Sequence, residues 1–208
     1  MIGIIDYNAG NLKSVESALR FIDTEFIISK KPKDLEKCDK IIFPGVGDAK
    51  FAMEQLNKTG FDLFLKNFVA QNKPLLGICL GSQIIFEHSE EGDVKCLGLI
   101  KGNIRHIKNV LPKNHEVKIP HMGWNNIYFT KITSNIFKDI KESSDFYFVH
   151  SYLIVPQDMN VVCTYTKYGG INIPAGIKSG NINALQFHPE KSGDLGLKVL
   201  QNFCKNYL

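Results

Sequence analysis

A cysteine framed by two glycines is the residue of this chain best placed for covalent chemistry. The apolar run Leu75–Ile78 leads into Cys79, which has Gly77 and Gly81 two residues away on either side, and a helical pattern follows through Glu87. Gly-x-Cys-x-Gly between a strand and a helix is typical of a nucleophile elbow, a turn so sharp that its flanking side chains must be minimal. Such a turn should lift the sulfur into solvent beside a helix N-terminus, where the helix dipole favours a thiolate. The alternative is a buried structural cysteine, because cysteines are often buried.

A base for this cysteine lies near the other end of the chain. The segment Asn183–Phe187 has the pattern of a strand and runs into His188, with Glu190 two residues further on. A histidine that takes a thiol proton must be held in one tautomer and orientation, and a carboxylate on its second nitrogen can do this. Pro189 fixes the local backbone so that both side chains can converge. A surface turn is the alternative, but a cysteine and a histidine far apart in sequence are the usual layout of a Cys–His site.

The turn Pro44–Gly47 could supply backbone donors to such a site. It directly follows the apolar strand pattern Lys40–Phe43, and ligands of doubly wound sheets bind at strand ends of this kind. Its two glycines allow backbone N–H groups to point at the oxyanion that forms when a thiolate attacks an amide. A plain tight turn is the alternative. A phosphate loop is excluded, since no Gly-x-x-x-x-Gly-Lys-[Ser/Thr] occurs in the sequence.

Composition favours a compact enzyme that is neither membrane-bound nor nucleic-acid-binding. The 208 residues, of which 44% are hydrophobic, suffice for one domain over residues 1–208. No apolar run approaches the roughly 20 residues of a membrane span, and the N-terminus starts with an apolar strand without a basic leader. The net charge of +4 is too small to indicate nucleic acid. Five cysteines occur singly without a C-x-x-C pair, which argues against structural zinc and disulfides and favours a reducing cytoplasm: Cys38, Cys79, Cys96, Cys163 and Cys204.

Strand and helix patterns alternate in the first part of the chain, and strand patterns dominate later. Alternation of this kind predicts right-handed crossovers and a parallel sheet. Apolar spacing predicts helices over 12–22, 61–69 and from Asp194 to Tyr207. Strands are predicted over 1–6, 26–28, 40–43 and 75–78, and near 98–107, 126–129, 145–150, 161–166 and 182–187, the later ones in a mixed sheet.

The Cys79 and His188 motifs together resemble those of the class I (triad) glutamine amidotransferases. Further segments resemble one subgroup of that family, the glutaminase subunits of imidazole glycerol phosphate synthases. These segments are Pro44–Gly47, Ile119–Asn125, Phe146–Tyr152 and Asp6–Leu12 with Ser14 and Val15, so the resemblance runs essentially end to end. It implies a single-domain, flavodoxin-like α/β fold with a central, mostly parallel mixed sheet and helices on both faces.

The resemblance also implies how glutamine is hydrolysed. Cys79 attacks the side-chain amide, His188 protonates the leaving ammonia and then activates water, and Glu190 orients His188. No metal or organic cofactor is needed. The implied oxyanion donors are Val46 or Gly47 and Leu80, and the implied glutamine contacts are Gln83, Glu91, His150, Ser151 and Tyr152.

A partner is implied as well, namely a (β/α)8 cyclase that receives the ammonia and makes imidazole glycerol phosphate and AICAR in histidine biosynthesis. Since one domain leaves no room for a second catalytic unit, the resemblance predicts a cytoplasmic heterodimer. Candidate interface and gate residues are Trp124, Asn125, Tyr147 and Lys191. Trp124, the one tryptophan of the chain, could instead be a core residue.

Three departures from the family pattern leave the acceptor open. Ser82 stands where methionine or histidine is usual, Asn8 and Ala9 replace a glycine-containing pair, and Asp48 follows the Pro44–Gly47 turn. Related subunits feed ammonia to synthases that amidate surface sugars, which is one alternative. A stand-alone cysteine hydrolase and a non-catalytic binding subunit are two others, although intact Cys79, His188 and Glu190 argue against the latter.

Overall fold

The computed structural model describes residues 1–205, and its fold is α/β. The strands are β1 (Ile2–Ile5), β2 (Phe26–Ser29), β3 (Lys40–Gly45), β4 (Leu75–Cys79), β5 (His88–Ser89), β6 (Val94–Lys95), β7 (Gly102–His106), β8 (His121–Asn126), β9 (Tyr128–Phe129), β10 (Asp145–His150), β11 (Tyr152–Pro156), β12 (Val162–Tyr168), β13 (Ile171–Ser179) and β14 (Ile182–Leu185). The helices are α1 (Leu12–Phe21), α2 (Pro32–Leu35), α3 (Ala49–Thr59), α4 (Phe61–Ala70), α5 (Leu80–Gln83) and α6 (Gly193–Lys205).

An eight-stranded sheet with the order β2-β1-β3-β4-β14-β13-β12-β9 forms the centre of the fold. The first five strands in this order run parallel, and the remaining pairings are antiparallel. Strand β4 therefore lies between two parallel neighbours, β3 and β14. The ends of these three strands lie side by side, because parallel strands share one carboxyl edge.

Both faces of this sheet are covered by helices. Side chains alternate across a strand, so Ile41 packs with the helices α2, α3 and α4 on one face, while Ile42 packs with α1 and α6 on the other. Buried runs such as β3 and β4 have no exposed positions, as expected of a parallel sheet that is covered twice. The predicted fold class, a mostly parallel mixed sheet with helices on both faces, is confirmed.

Two smaller sheets lie outside the central one. Strands β10 and β8 form an antiparallel ribbon, in which His150 pairs with His121 and Tyr147 with Trp124. Strands β11, β7, β5 and β6 form a four-stranded sheet in that order. The later strands were predicted to belong to one mixed sheet, but the chain divides them among three.

Some element boundaries differ from the sequence prediction. The helix after Cys79 ends at Gln83 rather than continuing to Glu87. The strand expected over 126–129 is two strands, because the fully buried Ile127 carries the chain from the ribbon into the central sheet. The predicted helix 194–207 corresponds to α6, and its last two residues lie outside the described part of the chain.

Among residues 1–205, no helix is long and apolar enough to cross a membrane.

Candidate active site

Three neighbouring strand ends bring the predicted catalytic segments together. Strand β3 ends at Gly45, which is in register with Cys79 at the end of β4. On the other side of β4, Leu185 of β14 is in register with Ile78, and the chain continues from there to His188. Residues far apart in sequence thus meet at one edge of the sheet because their strands are adjacent and parallel.

The turn at Cys79 is strained, as a nucleophile elbow requires. Cys79 has φ 52° and ψ −110°, a conformation that costs a residue with a side chain of the order of 1–3 kcal/mol. A Cβ on Gly81 would lie 2.0 Å from the Phe43 carbonyl oxygen, and one on Gly77 would lie 2.8 Å from the Gly81 oxygen. Both glycines are therefore required by backbone packing, which explains the Gly-x-Cys-x-Gly pattern.

The sulfur of Cys79 is less exposed than the sequence predicted. Cys79 is only 8% exposed and forms part of a cavity wall instead of standing in open solvent. Its thiol lies 3.9 Å from the Val149 carbonyl oxygen, a weak hydrogen bond to the β8–β10 ribbon. The reason is that the ribbon covers the strand ends, a feature that the local motif did not predict.

His188 and Glu190 form a buried hydrogen-bonded pair. His188 Nδ1 lies 2.7 Å from Glu190 Oε1, and both side chains are almost fully buried. Burial alone would lower the pKa of His188, but its interactions with Cys79 and Glu190 outweigh this effect and raise the pKa to about 10. The Nε2 atom forms no hydrogen bond within the described residues and is the atom left to exchange a proton with Cys79. Catalytic hydrogen bonds are commonly long until substrate binds.

The backbone around His188 is tied to the ribbon. The His188 N–H donates to the Tyr147 carbonyl at 2.9 Å. Ser192 Oγ donates to the His188 carbonyl at 2.6 Å and accepts from the Tyr147 N–H at 3.0 Å. Strand β10 and the loop that carries the base are thus held as one unit.

A cavity of about 320 Å³ opens at Cys79 and His188. This volume lies within the range of small-molecule sites. Gly47 has φ 96° and open space around it, so the wall consists of backbone alone at this one position. The cavity brings together the predicted oxyanion donors, the predicted glutamine contacts and one predicted gate residue: Val46, Gly47, Leu80, Gln83, Glu91, His150, Ser151, Tyr152 and Lys191.

Two polar side chains in the wall have fixed orientations. Gln83 Nε2 donates to the Tyr152 carbonyl and to Gln186 Oε1, both at 2.9 Å. Glu91 Oε2 accepts from the Ala49 N–H at 2.9 Å, and burial raises the pKa of this carboxyl. Gln83 is therefore held by the Tyr152 backbone and the Gln186 side chain, and Glu91 by the Ala49 backbone.

The other candidate interface residues lie outside the cavity. Trp124 is 58% exposed, so the alternative that it belongs to the core is wrong. Its ring meets that of Tyr147 edge to face, with centroids 6.2 Å apart. Asn125 is partly buried and donates to His121 and to the Lys167 carbonyl.

Sequence reasoning missed several residues at this site. Pro120 and Val149 line the cavity, and both lie within the segments that carry the family resemblance, although neither was singled out as a site residue. Ser192, which anchors the backbone of His188, follows the His-Pro-Glu motif but has no recognisable pattern of its own. His121 bonds to His150 across the ribbon, and the sequence separation of 29 residues gave no signal of this contact.

Comparison with known proteins agrees with this geometry. The family model described as Glutamine amidotransferase class-I matches residues 3–207. The chain is 45% identical over 205 residues to the imidazole glycerol phosphate synthase subunit HisH of Geobacillus sp. (strain WCH70), covering 98% of this chain and 96% of that one. It is 47% identical to the subunit of the same name from Methanocaldococcus jannaschii, with 99% of each chain covered.

Solved structures with low sequence identity share the fold. A crystal structure of a glutamine amidotransferase superposes with a TM-score of 0.73 at 17% identity, covering 97% of this chain and 98% of that one. The structure of PurLQS from Thermotoga maritima gives a TM-score of 0.69 at 20% identity, covering 97% and 96%.

Proposed function

Because this chain belongs to the class-I glutamine amidotransferases, and within them to the imidazole glycerol phosphate synthase HisH subunits, we propose that it hydrolyses L-glutamine and delivers the ammonia to a synthase subunit. The observation that carries the chemistry is the strained Cys79 in one cavity wall with the buried His188–Glu190 pair. We take residues 1–208 as one glutamine amidotransferase domain.

The first half of the reaction forms a thioester. The Cys79 sulfur, having given its proton to His188, attacks the side-chain amide carbon of glutamine, and the carbonyl oxygen becomes an oxyanion. Backbone N–H groups of Val46 or Gly47 and of Leu80 stabilise this charge, each typically by about 2.7–4 kcal/mol. His188 then protonates the amide nitrogen, the carbon–nitrogen bond breaks and ammonia leaves.

The second half regenerates the enzyme. His188, now neutral, takes a proton from water, and the resulting hydroxide attacks the γ-glutamyl thioester. The carbon–sulfur bond breaks, glutamate leaves, and Cys79 is restored. Glu190 stabilises the charged form of His188 in both halves, since its carboxylate is bonded to Nδ1 and almost fully buried.

We assign glutamine specificity to the polar residues that line the cavity. Glu91 is placed to accept from the α-amino group, and Gln83 offers its free amide oxygen to a substrate N–H. His150, Ser151 and Tyr152 form the remaining wall. This arrangement favours a substrate with a cationic amino group and a terminal amide.

The ammonia acceptor is a separate subunit. The similar proteins are named as a subunit of imidazole glycerol phosphate synthase, which supports a heterodimer with a (β/α)8 cyclase that makes imidazole glycerol phosphate and AICAR in histidine biosynthesis. The exposed Trp124 with Tyr147, and Lys191 at the cavity, are the residues we assign to that interface. A cytoplasmic location fits this pathway.

Substitution of the nucleophile tests the chemistry. Cys79→Ala should abolish glutamate release while leaving the secondary structure unchanged, and Cys204→Ala, at the end of α6, is the matched control. Mass spectrometry after trapping with an electrophilic glutamine analogue should find the adduct on Cys79. Appreciable glutamate release by the Cys79 variant, or an adduct on another cysteine, would refute the assignment.

Titration with the cyclase tests the partner. The isolated subunit should hydrolyse glutamine slowly, and the cyclase carrying its phosphoribosyl ligand should stimulate it strongly. Full turnover of the lone subunit, unchanged on adding the cyclase, would instead favour a stand-alone hydrolase.

A further inference from the structure

Two buried histidines outside the proposed triad are bonded to each other beside the cavity. His121 on β8 is 2% exposed, and His150 on β10 is 6% exposed. Their Nδ1 and Nε2 atoms, respectively, are 2.9 Å apart. His150 lines the cavity, whereas His121 lies one strand behind it. The chemistry proposed above gives His121 no part.

The hydrogen-bond partners of Asn125 fix the tautomer of His121. Asn125 Oδ1 accepts from the Asn126 N–H at 2.8 Å, so its Nδ2 group must be the donor to the Lys167 carbonyl and to His121 Nε2, both at 3.1 Å. His121 Nε2 therefore accepts, and the proton of the neutral ring is on Nδ1. That N–H points at His150.

The hydrogen bond between His150 and Tyr152, at the other end of the network, fixes the tautomer of His150 in the same way. His150 Nδ1 lies 2.8 Å from the Tyr152 carbonyl oxygen, which can only accept, so Nδ1 carries the proton and Nε2 accepts from His121. The hydrogen bonds run in one direction, from Asn125 through His121 and His150 to Tyr152. A second proton on His121 would lie on Nε2, directly against the Asn125 N–H. Burial also disfavours the charged rings, since it lowers the pKa of His121 to about 4 and that of His150 to about 3.

The Tyr152 carbonyl links this network to the cavity wall. It accepts from His150 and also from Gln83 Nε2 at 2.9 Å, and the second N–H of Gln83 is taken by Gln186. Both amide hydrogens of Gln83 are thus used, and Oε1 is the atom left for a ligand. A ligand that meets it must donate a hydrogen bond, as the amide and amino groups of glutamine do.

We propose that His121 is a positioning residue for glutamine: through His150 and the Tyr152 carbonyl, its Nδ1–H group holds Gln83 Oε1 towards the substrate. This inference rests on the proposed glutaminase function. Packing holds the His121 ring in place, since it stacks on the rings of Phe148 and Tyr168 with centroids 4.8 and 4.0 Å away.

Three substitutions of His121 separate the effect of the hydrogen bond from that of the packing. His121→Asn retains a donor near the position of Nδ1, whereas His121→Leu has nearly the same size and no donor. His121→Gln is polar but places its amide near the position of Nε2, so its KM for glutamine should rise as in the Leu variant. It serves as the second test if His121→Leu folds poorly. His88→Leu, on β5 and outside the network, controls for loss of a histidine.

The variants are assayed in the complex with the cyclase, with active sites counted by an electrophilic glutamine analogue. Loss of a neutral donor to a buried acceptor should raise the KM for glutamine roughly tenfold in the Leu and Gln variants, with kcat per titrated site nearly unchanged. His121→Asn should recover most of the wild-type KM. In the wild type, ¹⁵N NMR should show both rings as Nδ1–H tautomers.

The outcomes are distinguishable from failure of the proposed function. Wild-type protein that does not hydrolyse glutamine would overturn that function, and this inference with it. If the wild type is active, an equal rise in KM in the Asn and Leu variants overturns the inference alone. So does a loss of titratable sites with KM unchanged, or an Nε2–H tautomer at either histidine.

Discussion

Replacing Glu190 by glutamine should lower the pKa of His188 and slow glutamine hydrolysis. The substitution keeps size and a possible hydrogen-bond acceptor but removes the charge that lies 2.7 Å from Nδ1. Both side chains are almost fully buried, so water does not screen their attraction. The variant therefore isolates the electrostatic contribution of Glu190.

The size of the effect follows from the geometry. Because both charges are delocalised, we take an effective separation of about 4 Å, at which unit charges attract by roughly 4 kcal/mol at an effective dielectric constant of about 20. At about 1.36 kcal/mol per unit, this corresponds to roughly three pKa units. The pKa of His188, raised to about 10 in the intact site, should then fall towards its ordinary value. Proton transfer from Cys79 to His188 becomes less favourable by the same free energy, which should lower kcat/KM by about 10²–10³-fold.

The assay is the pH dependence of glutamate release, together with NMR titration of His188. His188 must be protonated to donate to the leaving ammonia. A raised pKa keeps it protonated below about 10, so the wild-type rate should fall only as the pH rises through that value. In Glu190→Gln this alkaline limb should move down by about two to three units. Asp194→Asn, an exposed carboxylate in the first turn of α6, is the matched control for loss of charge. An alkaline limb in the same place, or kcat/KM within a few fold of wild type, would refute the electrostatic role.

Two further predictions concern the elbow and the interface. Gly81→Ala should lower the free energy of unfolding by roughly 3 kcal/mol or more, because its Cβ would meet the Phe43 backbone oxygen at 2.0 Å. Gly180→Ala, at φ 53° with open space around it, should cost about 1–2 kcal/mol in the same denaturant titration, and equal losses would contradict the packing argument. Trp124→Ala and Lys191→Ala in the complex should release glutamate faster than acceptor product forms. A ratio near one in both variants, with normal subunit affinity, would place the interface elsewhere.

The sequence was most informative where a single backbone feature determines the residue type. Gly77 and Gly81 are imposed by contacts with the backbone, so the elbow was visible as a local pattern. The proximity of Cys79 and His188 was predicted from the pairing of their motifs, whereas the adjacency of β3, β4 and β14 that produces it is seen only in the structure. The glycine positions could be predicted because local sterics dictate the residue type there.

The contacts around the triad were not predictable in the same way. Nothing in the pattern of β8 or β10 showed that they form a separate ribbon, because alternation of apolar residues does not specify which strand is the partner. The pairing of His121 with His150, and the enclosure of Cys79 by Val149, depend on that choice. The role of Ser82 could not be predicted either. Its hydroxyl donates to the Cys79 carbonyl at 2.6 Å, a contact that stabilises the elbow and has no sequence signature.

The ribbon connects the proposed interface with the proposed base. Trp124 is exposed on β8 and touches Tyr147 on β10, and the Tyr147 carbonyl accepts the His188 N–H. The next residue but one along β10, Val149, presents its carbonyl to the Cys79 sulfur. A protein that binds over Trp124 would therefore press on the strand that contacts both the nucleophile and the base. Because β10 contacts both catalytic residues, we expect partner binding at this surface to affect the alignment of Cys79 with His188. This gives a structural reason why glutamine hydrolysis should depend on the proposed partner.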